Sequence, residues 1–217
     1  MAEAFHRTFF LKGPAGRLEA MLWTAAQSAG EPRRVAVVCH PHPLFGGTMH
    51  NKVVFQLAKT LHQSGAPVLR FNFRGAGLSE GRHDKGRGET GDVEAALDFL
   101  AAEFPAKPIL LAGFSFGAYV GLRVACTDAR VKEIVGAGLP VNNSDLSYLV
   151  ECKKPKLLLQ STHDQFGSRE HIETLYEKLP PPKTLALIES PDHFFAGKLP
   201  EMGEAFEKWL QERDAKT

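Results

Sequence analysis

Pro108-Ile109-Leu110-Leu111-Ala112-Gly113-Phe114-Ser115-Phe116-Gly117-Ala118-Tyr119-Val120 is the stretch on which the reading of this chain turns. An apolar run, residues 109–114, ends at a serine with glycine two positions before it and two after, and helix-like sequence over 118–126 follows at once. A strand that enters a helix through a single residue must turn very sharply. The residue at the apex then takes a strained backbone conformation, and its neighbours two positions away must be small. Gly113 and Gly117 meet that demand. The turn lifts the Ser115 hydroxyl clear of the sheet, at a helix N-terminus whose dipole favours developing negative charge. Glycine and serine are common in ordinary turns. The strand before and the helix after make Ser115 a candidate nucleophile instead of an idle turn residue.

Outward from this turn, strand and helix patterns alternate. Residues 5–11 and 17–23 alternate apolar and polar around Gly13-Pro14-Ala15-Gly16, which predicts an antiparallel hairpin. A polar loop is expected over 25–32, and 35–39 is a wholly apolar run of the kind covered on both faces. A Pro- and Gly-rich loop over 40–48 leads to a helix over 51–63, with Val54, Leu57, Ala58 and Leu61 on one face and Gly65 as its stop. A strand over 67–73, a polar loop over 74–88 and a helix over 89–104 precede the central turn, with Glu89 and Asp92 suiting the helix dipole. Strands at 131–137, 156–160 and 184–188 and helices at 169–179 and 201–213 complete the pattern, with 139–154 mostly loop and one helical turn near Leu146. Such alternation predicts an α/β fold, a mostly parallel sheet with helices on both faces. No internal repeat or second boundary is visible, so residues 1–217 are expected to form a single domain.

Composition narrows the function. The 26 Lys+Arg nearly cancel the 25 Asp+Glu, which speaks against nucleic acid or a membrane surface as partner. Met1-Ala2-Glu3-Ala4 does not open like a secretory signal, and no apolar run approaches a membrane span. Cys39, Cys126 and Cys152 are far apart and odd in number, which suits small core or surface residues of a reducing compartment. A cytoplasmic protein is expected.

In sheets of this kind the working residues gather at the carboxyl ends of the strands. Ser161-Thr162-His163-Asp164 and Glu189-Ser190-Pro191-Asp192-His193 follow the last two strands, on the edge that carries Ser115. A serine needs a base to take its proton, and the base needs a third group to orient it. Asp164 as acid and His193 as base put the triad in the chain order Ser, Asp, His that accompanies this turn. His163 and Asp192 are rivals, but adjacent side chains on an extended segment point to opposite sides. Asp145, after an earlier strand, is the alternative acid. An oxyanion also needs two donors. The N–H of Phe116 follows the nucleophile directly. The second is expected from His40-Pro41-His42-Pro43-Leu44-Phe45-Gly46-Gly47, where the prolines lack an N–H and leave His42, with Leu44 behind it. Phe45 and Phe194 adjoin these positions and are candidate substrate-lining residues.

The loop 40–49, Arg70-Phe71-Asn72-Phe73-Arg74-Gly75, the turn at Ser115 and the Asp164 and His193 segments together resemble the α/β-hydrolase superfamily, in particular its small, capless bacterial members. The resemblance covers essentially the whole chain. It implies an α/β-hydrolase fold without a cap domain, and a serine hydrolase whose residues play the parts named above. Pro41 departs from the superfamily's usual His-Gly at that point of the oxyanion loop. A carboxylic ester is the expected substrate, with a thioester, a lactone or a peptide bond as alternatives on the same triad. A binding module that merely retains the fold is the reading from another class.

Cofactor and metal chemistry find little support. Arg74-Gly75-Ala76-Gly77-Leu78-Ser79-Glu80-Gly81 lacks the third glycine and the helix of a dinucleotide site. His40, His42 and His163 lack a ligand spacing. Residues 81–88 are expected to form a solvated loop with local ion pairs.

Overall fold

The computed structural model describes residues 5–24 and 30–216. The opening 1–4 and most of the loop expected at 25–32 lie outside the described residues. Among the described residues, eight strands form one sheet in the order β1-β2-β4-β3-β5-β6-β7-β8. The strands β1 (Phe5–Gly13) and β2 (Gly16–Thr24) are the antiparallel hairpin, and β2 runs antiparallel to β4 (Val68–Phe71). From β4 onward every pairing is parallel, through β3 (Val35–Cys39), β5 (Ile109–Phe114), β6 (Val131–Ala137), β7 (Lys156–Ser161) and β8 (Lys183–Ile188).

The period of two along each strand divides the core into two layers. Val35, Val37, Cys39, Ile109 and Leu111 pack in one layer beneath α2 (Gly88–Glu103) and α3 (Phe116–Thr127). Ala36, Val38, Leu110, Ala112 and Phe114 pack in the other, beneath α1 (Lys52–Gln63) and α6 (Leu199–Asp214). The interval between β6 and β7 holds only the four-residue α4 (Tyr148–Glu151), and α5 (Arg169–Lys178) follows β7. No cap is inserted there. Among the described residues no helix is long and apolar enough to cross a membrane.

Two boundaries differ instructively from the sequence reading. The helix after Ser115 begins at Phe116, directly at the turn. The strand expected over 67–73 leaves the ladder after Phe71. Beyond it, Phe73 donates its N–H to the His40 ring (2.9 Å), while the Asn72 side chain accepts from Met49 N (2.7 Å) and donates to Glu19 (2.7 Å). Loop tethers take over the backbone groups that the ladder gives up.

Candidate active site

The sheet order reverses between β3 and β5: the chain passes outward from β3 to β4, then returns to lay β5 on the other side. Cys39 is in register with Gly113 across this pair, so the loop after β3 and the turn after β5 leave the sheet side by side. A crevice at such a switch point is where open α/β sheets bind ligands.

Ser115 sits at φ 55° and ψ −120°, in the left-handed half of backbone space. Its N–H donates to Ala137 O at the end of β6 (2.9 Å). The flanking glycines are there because of backbone approach. A Cβ on Gly113 would come within 2.6 Å of Ala118 N, and one on Gly117 within 2.4 Å of His40 O. These contacts seat α3 directly against the loop after β3.

Asp164 and His193 meet at that same edge. His193 Nδ1 lies 2.7 Å from Asp164 Oδ2, and both side chains are buried. Asp164 Oδ1 also accepts from the backbone N–H groups of Phe166 (2.8 Å) and Gly167 (3.1 Å). Its Oδ2 accepts from Gln160 Nε2 (2.9 Å). A carboxylate surrounded by donors holds the imidazole proton on Nδ1, which leaves the Nε2 lone pair to receive another. The His193 ring packs on Phe114, the residue before Ser115, at a centroid distance of 4.8 Å. Asp192 accepts from the N–H groups of Phe194 and Ala196 (both 3.0 Å) and so shapes the turn that presents His193.

The rivals fall elsewhere. His163 points away from Asp164 into solvent, with Nδ1 3.1 Å from Ser190 O, as alternation on an extended segment requires. Asp145 accepts from Ser147 N (2.9 Å) at the start of α4, and that hydrogen bond holds its carboxyl below the usual range. It is spent on a local turn.

The loop after β3 is rigid. His40 is fully buried; its Nδ1–H donates to Pro41 O (2.6 Å) and its Nε2 accepts from Phe73 N. Burial pulls this imidazole down to about 4, so it is a neutral tether with both nitrogens occupied. Pro43–Phe45 form a single 3-10 turn. Leu44 N donates to His42 Nδ1 (3.2 Å), and Gly47 N and Phe45 N to His42 O (both 3.1 Å). Leu44 is thereby committed, whereas the N–H groups of His42 and Phe116 meet no acceptor among the described residues. Phe45 is 87% exposed and Phe194 is 49% exposed. A groove of about 640 Å³ runs past Phe194, Gly46, Thr48 and Leu199.

Residues 35–215 match the family model of an alpha/beta hydrolase domain. The chain belongs to the α/β-hydrolase family. A solved structure from Xanthomonas campestris, described as an α/β serine hydrolase without a lid, is 32% identical, with a TM-score of 0.88 over 95% of this chain and 94% of that one. An α/β serine hydrolase homologue from Coxiella burnetii is 37% identical, with a TM-score of 0.86 over 94% of this chain and 97% of that one. An uncharacterized protein of Rickettsia prowazekii is 36% identical over 210 residues, 93% of this chain and 87% of that protein. Like the Xanthomonas campestris structure, this α/β hydrolase has no lid inserted between β6 and β7.

Sequence reasoning passed over two groups that build its site. Gln160, the last residue but one of β7, keeps its amide in the core, donating to Asp164 and to Gly167 O (2.8 Å) while accepting from Leu139 N (2.9 Å). A lone amide at the end of the apolar run Lys156-Leu157-Leu158-Leu159-Gln160-Ser161 was the available signal. Glu89 lies in the first turn of α2, as its dipole reading expects, with Asp92 one turn on; both are in addition fully buried and hold the loop before α2. Asp92 takes the Arg74 guanidinium at 2.8 Å. The loop expected to be solvated over 81–88 does keep an exposed Arg87–Asp84 pair, yet His83 and Gly86 are drawn inward.

Proposed function

We propose that residues 1–217 work as one catalytic domain that hydrolyses small carboxylic esters through a Ser115 acyl-enzyme. The buried Asp164–His193 hydrogen bond, at the strand edge that carries the strained Ser115 turn, is the observation that supports this most. As Ser115 Oγ attacks the ester carbonyl, His193 Nε2 takes its proton, and Asp164 stabilises the imidazolium. The carbonyl oxygen, now an oxyanion, is received by the N–H groups of Phe116 and His42, each worth ~3–4 kcal/mol in the transition state. Collapse breaks the bond to the alcohol oxygen, to which His193 returns the proton. A water then repeats the sequence at the acyl carbon and frees the acid and Ser115. Phe194, in the wall of the groove, and Phe45, packed on the His42 ring at 4.8 Å, are the substrate-facing aromatics of this reading. The free thiols of Cys39, Cys126 and Cys152 suit a cytoplasmic location.

A fluorophosphonate probe should label Ser115, and Ser115→Ala should lose nearly all turnover on a panel of esters, thioesters and lactones while keeping its fold. Labelling at Ser79 or Ser161 would overturn the assignment; both hydroxyls are already committed, to Asn72 O (2.7 Å) and Ser190 O (3.0 Å). Faster turnover of thioesters or lactones would move the substrate class and keep the triad. A folded chain that neither labels nor turns over would be a binding module.

A further inference from the structure

The loop over 74–87 has no regular structure, yet a carboxylate with no exposed surface organises its end. Glu89 Oε1 accepts from Asp84 N (2.8 Å) and Oε2 from Gly86 N (2.9 Å). The same Oε1 lies 2.8 Å from His83 Nδ1, within ion-pair distance though off the line of a linear hydrogen bond. Burying a carboxylate is costly unless it is used, and here it is used to shape a loop.

What the loop presents is the His83 ring, whose side chain is 8% exposed. Its centroid lies 4.6 Å from that of His42 and 5.4 Å from that of Phe116. The His42 and Phe116 rings pack on each other at 4.8 Å. Three rings thus meet at one point, and two of them belong to the residues whose N–H groups are assigned to the oxyanion. Those residues follow different strands, β3 and β5. On the far side, a Cβ on Gly86 would lie 3.4 Å from the Tyr119 ring and 3.3 Å from Val120, so the loop also leans on the first turns of α3.

We propose that His83, oriented by Glu89, is a positioning residue for the oxyanion hole: it wedges against both His42 and Phe116 and sets the spacing of their N–H groups. The inference rests on the ester-hydrolase reading above. The two donors must sit within about 2.7–3.1 Å of an oxygen that carries full charge only in the transition state. A displacement of about 1 Å costs ~100-fold in rate. His83 therefore acts on the transition state and leaves ground-state binding alone.

The test compares His83→Ala, which removes the wedge, with His83→Phe, which restores a ring of similar size. A series of p-nitrophenyl esters and a trifluoromethyl ketone that forms a tetrahedral adduct with the serine serve as probes. His83→Ala should lower kcat by ~10- to 100-fold with KM little changed. It should weaken the ketone by the same factor, and His83→Phe should recover most of both. If His83→Ala folds poorly, Glu89→Gln, which keeps the side-chain size and loosens the hold on the ring, should show a smaller loss of the same kind. Unchanged kcat in both His83→Ala and Glu89→Gln, or a loss of kcat without a matching loss of ketone affinity, overturns the inference and leaves the triad standing. A wild type inert toward every ester and the ketone overturns both.

Discussion

At Ser115 the positive φ is a cost that the surrounding structure must impose, because an L-residue there is strained by ~1–3 kcal/mol. The hydrogen bond to Ala137 O and the seating of Gly117 against the His40 carbonyl hold it there. At Asp164 the counterpart is a carboxylate with four donors, among them His193 and Gln160. Asp164→Asn would replace one acceptor oxygen by an amide and leave His193 free to adopt the wrong tautomer. It should lower kcat by ~10³- to 10⁴-fold with KM nearly unchanged. Asp145→Asn should be almost silent, since that side chain only caps a turn. Steady-state kinetics of the two variants on one ester decides between them; damage confined to Asp145→Asn would mean the acid has been misassigned.

At the scale of the element, the loop between β3 and α1 depends on His40 remaining neutral. Its Nε2 can accept from Phe73 N only while it carries no proton. Burial lowers its folded value from 6.5 to about 4. Above pH 6.5 folded and unfolded chains both hold it neutral and its contribution is complete. As pH falls through that value, the unfolded chain takes up a proton that the folded chain refuses, and stability drains away until the folded value is passed. The loss by pH 5 should be about 2 kcal/mol. Urea midpoints of the wild type and His40→Asn at pH 7 and pH 5 give the contrast. The wild type should lose more stability than the variant by about that amount, and parallel losses would remove His40 from the account. His40 also anchors the carbonyl against which Gly117 packs, so the same protonation should loosen the neighbourhood of Ser115.

Over the whole molecule, the decisive feature is that no cap is inserted over the edge that carries Ser115, Asp164 and His193. Residues 139–154 contain one four-residue helix and several polar loop positions, too little to pack as an independent cap. The groove beside Phe194 is lined in part by Thr48, His50 and Asn51. A long acyl tail would leave its outer carbons in water, each forgoing the ~0.8 kcal/mol that burial of a methylene contributes. Across a series of p-nitrophenyl esters, kcat/KM should peak at short acyl chains, without a jump in rate above the solubility limit. A steady rise to long chains, or activation at an oil–water interface, would mean that a hydrophobic tunnel opens in solution.

Short-range physics determined a good deal of this protein. The alternation of apolar strands and amphipathic helices specified the parallel sheet, because each period dictates which face is buried. Gly113 and Gly117 marked the turn because nothing larger clears the backbone there. The positions of Asp164 and His193 after the last two strands were also legible, since parallel strands deliver their carboxyl ends to one edge. Tertiary structure decided what depends on contacts between distant segments. It turned Asp164 inward and His163 outward, and it spent Leu44 N on the His42 ring so that the His42 N–H remained open. It also drew Glu89, Asp92 and Gln160 into the interior, as anchors for loops that the sequence alone presents as polar and solvated. A buried polar side chain looks no different from an exposed one until its partner, far off in the chain, has been brought beside it.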